Sequence, residues 1–210
     1  GDTTRFTVFK DNHKWGEFET HMLGEFNVRN ALAVIIAADA WGVDKEKIQK
    51  AFSTFKSVKR RMEVRGEVRG VTVIDDFAHH PTAVEETLKA LKQKYENRRL
   101  IAVFEPRSWS SRLAVFQEKY ERAFAYADYV IIAGVYNTSK ASELGAVLDT
   151  DELVRQLELQ GKPSFSLPDA DSIVAHLAPE LKDADVVAVM SNGGFGGIHE
   201  KILNVLKEGK

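Results

Sequence analysis

The 210-residue chain contains no cysteine, which excludes disulfides, thiolate catalysis and cysteine-ligated zinc. It contains no long apolar run. The longest, residues 31–38, is far too short to span a bilayer. No signal peptide is visible, so a cytoplasmic protein is expected. It lacks charge of one sign: 29 Lys and Arg against 31 Asp and Glu leave a net charge of −2, so no bulk field attracts nucleic acid or an acidic membrane. There is no internal repeat, no low-complexity segment and no GxxxxGK[ST] phosphate loop. An opening Gly1 without methionine, running straight into a strand-like segment, leads us to expect a piece excised from a longer chain. What is present, 44% hydrophobic and 29% charged residues, is ordinary for a soluble globular protein that buries a substantial core.

The pattern along the chain changes once. Residues 5–10 and 15–20 alternate around the turn-forming DNHK, which predicts a β-hairpin. A nearly all-apolar helix is predicted over 27–41, stopping at Gly42, and a second from an Asp44 N-cap through Phe55. The first helix is apolar on most sides and needs a partner that these residues do not supply. From about Met62 short apolar strands (63–68, 71–77, 100–104, 129–135, 164–167 and 185–190) alternate with helices (81 onward, 112–125, 151–160, 171–178 and 197–206). That alternation predicts an α/β fold with a doubly wound, mostly parallel, Rossmann-like sheet. Ligands of such sheets sit beyond the carboxyl ends of the strands. Asp75 and Asp76, residues 105–112 and residues 191–197 fall there.

The segment KRRMEVRGEVRGVTVIDDFAHHP carries most of the chemistry. Lys56, Lys59, Arg60, Arg61, Arg65 and Arg69 precede the strand ending in Asp75 and Asp76. Guanidinium groups suit phosphate charge, and an aspartate suits ribose hydroxyls, so the segment is suited to ATP. Taken alone, the basic cluster reads first as a solvated charged strand or linker. Glu63 and Glu67 within it argue against nucleic acid. Two adjacent carboxylates repel unless a cation or a hydrogen-bond donor intervenes. His79 and His80 are not expected to ligate metal, since adjacent side chains diverge; one orienting the loop and one exposed is the plainer reading. SNGGFGG lies between strand and helix, where backbone N–H groups can meet an anion, although close strand–helix packing explains the glycines equally well. EPRSWSSR places Arg107 and Arg112 among hydroxyl and indole donors after a strand, suited to a carboxylate-bearing ligand, or else a plain exposed loop.

Together these strings resemble the Mur ligase family, ATP-dependent enzymes that add amino acids or peptides to UDP-N-acetylmuramic acid. GEFNVRNALAV resembles the family's GxHNxxNxLAA signature. KRRMEVRG followed by VIDDFAHHPTAVEETLKAL resembles its junction into the C-terminal domain. The resemblance covers the whole chain, with residues 1–58 as the truncated tail of the central ATPase domain and 59–210 as the C-terminal domain. DDxAHHP is similar to the branch acting directly on UDP-N-acetylmuramate. FEPRS and VMSNGGFGGIHEKIL are similar to members that attach the murein tripeptide L-alanyl-γ-D-glutamyl-meso-diaminopimelate in peptidoglycan recycling. Alanine-adding members more typically show a histidine–arginine pair in the first string and a glycine–alanine–glycine turn in the second.

The resemblance implies ATP and Mg²⁺, bound mainly by an upstream part, with UDP-N-acetylmuramate and the tripeptide as substrates. It places Asn27 and Asn30 at the adenine, Arg61 at the phosphates, Asp76 at the ribose, and His79 and His80 in the same nucleotide-binding strip. Arg107, Ser108, Ser110 and Arg112, with Ser191 and Asn192, would hold the tripeptide. No catalytic residue and no metal ligand is expected in this segment, which alone should be inactive. Phe26 stands where many members have histidine, and a stacking contact could substitute. An alanine-adding ligase, a folylpolyglutamate synthetase and a non-catalytic nucleotide- or peptide-binding module remain as other readings.

Overall fold

A computed structural model describes residues 3–143 and 145–209. The chain divides into two compact units, residues 1–59 and 60–210. In the first, strands β1 (Thr4–Lys10) and β2 (His13–Thr20) form an antiparallel hairpin with a bulge between Val8 and Phe9. Asp11 and Asn12 both take positive φ, the backbone that a tight hairpin turn requires. Helices α1 (Glu25–Ala40) and α2 (Lys45–Thr54) follow. Asp44 does not cap α2 through its side chain; it pairs with Lys47 at 2.9 Å instead. Val8, Phe18, Ala31, Ile35, Ile48 and Phe52 form a small core. Helix α1 buries only Ala31 and Ile35 and leaves Val34, Ile36 and the adjacent Trp41 exposed.

The second unit contains a six-stranded sheet. Its members are β3 (Glu63–Val68), β4 (Val71–Asp76), β5 (Leu100–Phe104), β6 (Tyr129–Ala133), β7 (Ser164–Leu167) and β8 (Val186–Met190), in the order β3-β4-β8-β5-β6-β7. Only β3 runs antiparallel to its neighbour; the rest are parallel. The helices are α3 (Pro81–Lys94), α4 (Gln117–Ala123), α5 (Thr138–Ser142), α6 (Thr150–Leu159), α7 (Ala170–Leu177) and α8 (Ile198–Glu208). Because strand side chains alternate faces, Ile74, Ala102, Phe104, Ile132 and Ala188 pack with residues of α3, α4 and α6. Val73, Ile101, Val103, Ile131 and Val189 pack on the other face with residues of α7 and α8. This is the doubly wound architecture expected of the sequence. Among the described residues no helix is long and apolar enough to cross a membrane.

Two predicted helices begin later than expected. Over 112–125 the α-helix starts only at Gln117, after a 3-10 turn at Ala114–Phe116. The preceding backbone is taken by a short antiparallel bridge, Leu113 opposite Val147, with Ala114 N–H donating to Ala146 O and Leu148 N–H to Arg112 O, each at 2.8 Å. Helix α8 starts at Ile198, not Gly197, because Gly197 is left-handed at φ 70°.

Candidate functional site

Strand β8 enters the sheet last and lies between β4 and β5. The chain leaves β4 and β5 for helices on one face and leaves β8 for α8 on the other. Diverging connections open a crevice at the strands' carboxyl ends. Here the loop after β8, starting at Ser191, is flanked by residues 77–80 on one side and 105–107 on the other. Backbone bonds hold the three together: Ser191 N–H donates to Asp76 O at 3.1 Å and Glu105 N–H to Met190 O at 3.0 Å.

Asp75 and Asp76 end β4 and are both buried. The side chain of Asp75 meets cations. Arg60 Nε donates to its Oδ1 at 3.2 Å, and Arg65 Nη1 lies 3.6 Å from Oδ2. His199 Nε2, from α8, lies 3.4 Å from Oδ1 without a hydrogen-bond partner. Burial lowers the imidazole pKa, against the opposing pull of Asp75. Arg60 also donates through Nη2 to Ser191 O at 2.5 Å and Gly193 O at 2.9 Å, tying the basic segment to the loop after β8. It is therefore a structural tie and not a solvated charge. Arg65 reaches Glu200 at 2.5 Å as well.

Asp76 points to the α3 side. Its Oδ2 accepts from Met62 N–H at 2.7 Å, and its Oδ1 accepts from Ala78 N–H at 2.8 Å and the Thr87 hydroxyl at 3.3 Å. Burial raises its pKa despite these donors. Met62 can present its N–H because it and Arg60 hold left-handed backbones, at φ 49° and 59°. The Arg60 N–H is in turn held by Glu63 Oε2 at 2.8 Å. Such conformations in non-glycine residues persist where surrounding bonds enforce them. Between them Arg61 is exposed, its guanidinium 5.8 Å from the centre of the Phe77 ring.

His79 sits with Nδ1 3.0 Å from Phe77 O, its ring edge-on to Phe77. Exposed His80 is the N-cap of α3, accepting from Thr82 N–H at 3.3 Å. Both imidazoles organise the turn into α3.

Across β8, buried Glu105 accepts from the Ser191 hydroxyl, which itself accepts from Gly193 N–H at 2.9 Å. Glu105 Oε1 also lies 3.5 Å from Arg107 Nη1. The Arg107 guanidinium lies over the Tyr136 ring, 3.9 Å from its centre, and its stem passes Gly193 so closely that a Cβ there would fall 2.2 Å from Cδ and Nε. A side chain at 193 would push the Arg107 stem out of this place. Asn192, beside it, has a buried Oδ1 without a partner.

Arg112 is placed otherwise. It is buried, Nε donating to Ser108 O at 3.2 Å and Nη1 to Tyr136 O at 3.1 Å and Asn137 O at 3.4 Å. It ties the loop after β5 to the loop after β6. Ser108 accepts from Ser111 N–H at 3.0 Å and has Ser110 Oγ at 3.4 Å, so these hydroxyls fold the loop on itself.

Asn27 and Asn30 belong to the first unit. The Asn27 amide donates to Leu23 O at 2.7 Å. Exposed Asn30 lines a groove of about 330 Å³ with Met22, Val34, Ile48 and Phe55. Among the described residues no group of three or more His, Asp or Glu is disposed to hold a metal ion. Sequence reasoning did not assign roles to Arg60, Asp75, Tyr136 and His199. Arg60 carried a signal as part of the basic cluster and Asp75 as one of two adjacent carboxylates needing compensation; Tyr136 and His199 carried none.

Residues 60–193 match the family model described as the Mur ligase, glutamate ligase domain. The chain is 37% identical over 207 residues to the UDP-N-acetylmuramate–L-alanyl-γ-D-glutamyl-meso-2,6-diaminoheptandioate ligase of Haemophilus influenzae, covering 98% of this chain and 43% of that protein. It is 35% identical over 203 residues to the UDP-N-acetylmuramate–L-alanine ligase of Caldanaerobacter subterraneus, covering 97% and 43%. A crystal structure of a murein peptide ligase from Psychrobacter arcticus superposes with a TM-score of 0.71 at 32% identity, covering 98% of this chain and 42% of that one. The chain thus spans less than half the length of these relatives. A family-model match over most of the second unit, with relatives similar along nearly the whole chain, shows that this chain belongs to the Mur ligase family and carries its C-terminal domain.

Proposed function

We propose that the chain is part of an ATP-dependent ligase joining the tripeptide L-alanyl-γ-D-glutamyl-meso-diaminopimelate to UDP-N-acetylmuramate, in the cytoplasm, for peptidoglycan recycling. In this reading residues 1–58 end the central domain, consistent with the uncovered apolar side of α1. Residues 59–210 form the wall of the site that receives the amino component. ATP would activate the muramoyl carboxylate as an acyl phosphate, with Mg²⁺ and a lysine outside these residues balancing the phosphoryl charge. Exposed Arg61 is available to phosphate, and the groove beside Asn30 is available to adenine. The Asp76 carboxylate already accepts three protein donors, so a ribose contact would have to share it.

The observation that carries the tripeptide reading is Arg107. Its only hydrogen bond among the described residues is the long one to Glu105, so most of its donors are open at the crevice. A guanidinium with free donors pairs with a carboxylate in two-pronged fashion, and the tripeptide carries several carboxylates. The alanine-adding relatives match at similar identity and make alanine the second reading. The full-length protein, given ATP, Mg²⁺, UDP-N-acetylmuramate and tripeptide, should release phosphate and form UDP-N-acetylmuramoyl tripeptide, identified by mass. Absence of that product from a folded enzyme that binds ATP would overturn the proposal.

A further inference from the structure

A guanidinium at the end of a flexible stem has no fixed aim of its own, so the groups that surround Arg107 decide what it can meet. Glu105 holds one nitrogen, at 3.5 Å, and Gly193 admits the stem. Tyr136 supplies the remaining support, its ring centre 3.9 Å from Cζ. It comes from outside the 105–112 loop, following β6, where its N–H donates to Pro106 O at 3.3 Å and its own carbonyl accepts from Arg112. Its backbone is thus fastened to the loop from both sides, while its side chain is half exposed, so the ring does not fill the core. The Nε and Nη2 donors of Arg107 make no hydrogen bond among the described residues.

We propose that Tyr136 is a positioning residue for selection of the amino component: its ring fixes the Arg107 guanidinium so that the open donors receive one particular carboxylate of the incoming peptide. The inference rests on the tripeptide reading above. Aromatic rings attract guanidinium groups through their faces, and a planar fork held in place discriminates among carboxylates better than a mobile one. The phenol hydroxyl has no part in this, so phenylalanine should replace tyrosine without loss.

The test is steady-state kinetics of the full-length enzyme carrying Tyr136→Phe, Tyr136→Leu, Arg107→Ala, and the last two together. Tyr136→Phe should behave as wild type. Tyr136→Leu should raise the tripeptide KM by about threefold to tenfold, with the KM values for ATP and UDP-N-acetylmuramate within about twofold. In the Arg107→Ala background the same leucine substitution should add nothing. If Arg107→Ala raises the tripeptide KM but Tyr136→Leu does not, the positioning role is wrong while the tripeptide reading stands. If Arg107→Ala leaves the tripeptide KM unchanged, the reading beneath the inference fails with it. An equal rise in all three KM values, with a lower melting temperature, makes Tyr136 merely structural and overturns the proposal.

Discussion

Asp75 and Asp76 are consecutive on β4, yet their carboxylates are compensated on opposite faces of the sheet and by different chemistry. Asp75 faces Arg60, Arg65 and His199 on the α8 side, while Asp76 accepts from Met62, Ala78 and Thr87 on the α3 side. The strand's alternation separates two charges that would otherwise repel.

Removing the Asp76 carboxylate leaves the Met62 and Ala78 N–H groups in a buried place without an acceptor. Each such group costs about 1–3 kcal/mol, so Asp76→Ala should lower the urea midpoint of the 210-residue chain by an easily measured amount. An unchanged midpoint together with a raised ATP KM in the full-length enzyme would instead mark the carboxylate as a ribose ligand.

Arg60 joins Asp75 to the carbonyls of Ser191 and Gly193. Truncating one partner of a buried pair strands the other; with Arg65 and His199 still beside Asp75, Arg60→Ala should cost about 2–3 kcal/mol. Lysine should not rescue it, because a single ammonium cannot serve three acceptors in a fixed fork. Equilibrium denaturation of the three proteins decides this, and a fully stable lysine variant would contradict it.

His199 predicts a pH dependence. Burial lowers its folded-state pKa below the ordinary 6.5, so between that lowered value and 6.5 the folded chain binds fewer protons than the unfolded one. Stability is therefore fully present above 6.5 and is lost as pH falls through the window. His199→Gln should flatten the fall of melting temperature between about pH 7 and 5. Parallel curves for the two proteins would show that His199 does not titrate with unfolding.

Arg107 and Arg112 look equivalent in the string EPRSWSSR, and the fold separates them. Arg107→Ala should lower tripeptide kcat/KM about tenfold to a hundredfold, the range of a charged hydrogen bond, with little change in melting temperature. Arg112→Ala should lower melting temperature first, because three backbone carbonyls lose their donor. Equal kinetic losses at equal stability would mean that both arginines touch substrate.

Much of this architecture was legible. The strand runs 100–104 and 164–167 coincide with β5 and β7: β5 reads as a short apolar block because it is a fully buried parallel strand, and β7 as an alternating SFSL at the sheet's edge. The strand-end position of Asp75, Asp76, residues 105–107 and Ser191 followed from the alternation itself. The compensation of the aspartates was foreseeable in kind but not in partner, since β8 inserts between β4 and β5 and brings α8, with His199, from the far end of the chain. Likewise nothing around Tyr136 announces that it meets Arg107 across neighbouring strands. The helix expected over 112–125 was shortened by the bridge to Val147, a long-range pairing to which local periodicity is blind.

The tripeptide assignment itself is tested most directly by competition. The full-length enzyme would receive ATP, Mg²⁺, UDP-N-acetylmuramate and equimolar free alanine and L-alanyl-γ-D-glutamyl-meso-diaminopimelate, and the two products would be counted by mass spectrometry. The account predicts the tripeptide adduct in large excess in the wild type, with that excess reduced by Arg107→Ala. A wild-type enzyme that forms mainly UDP-N-acetylmuramoyl-alanine would contradict it and establish the alanine-adding reading.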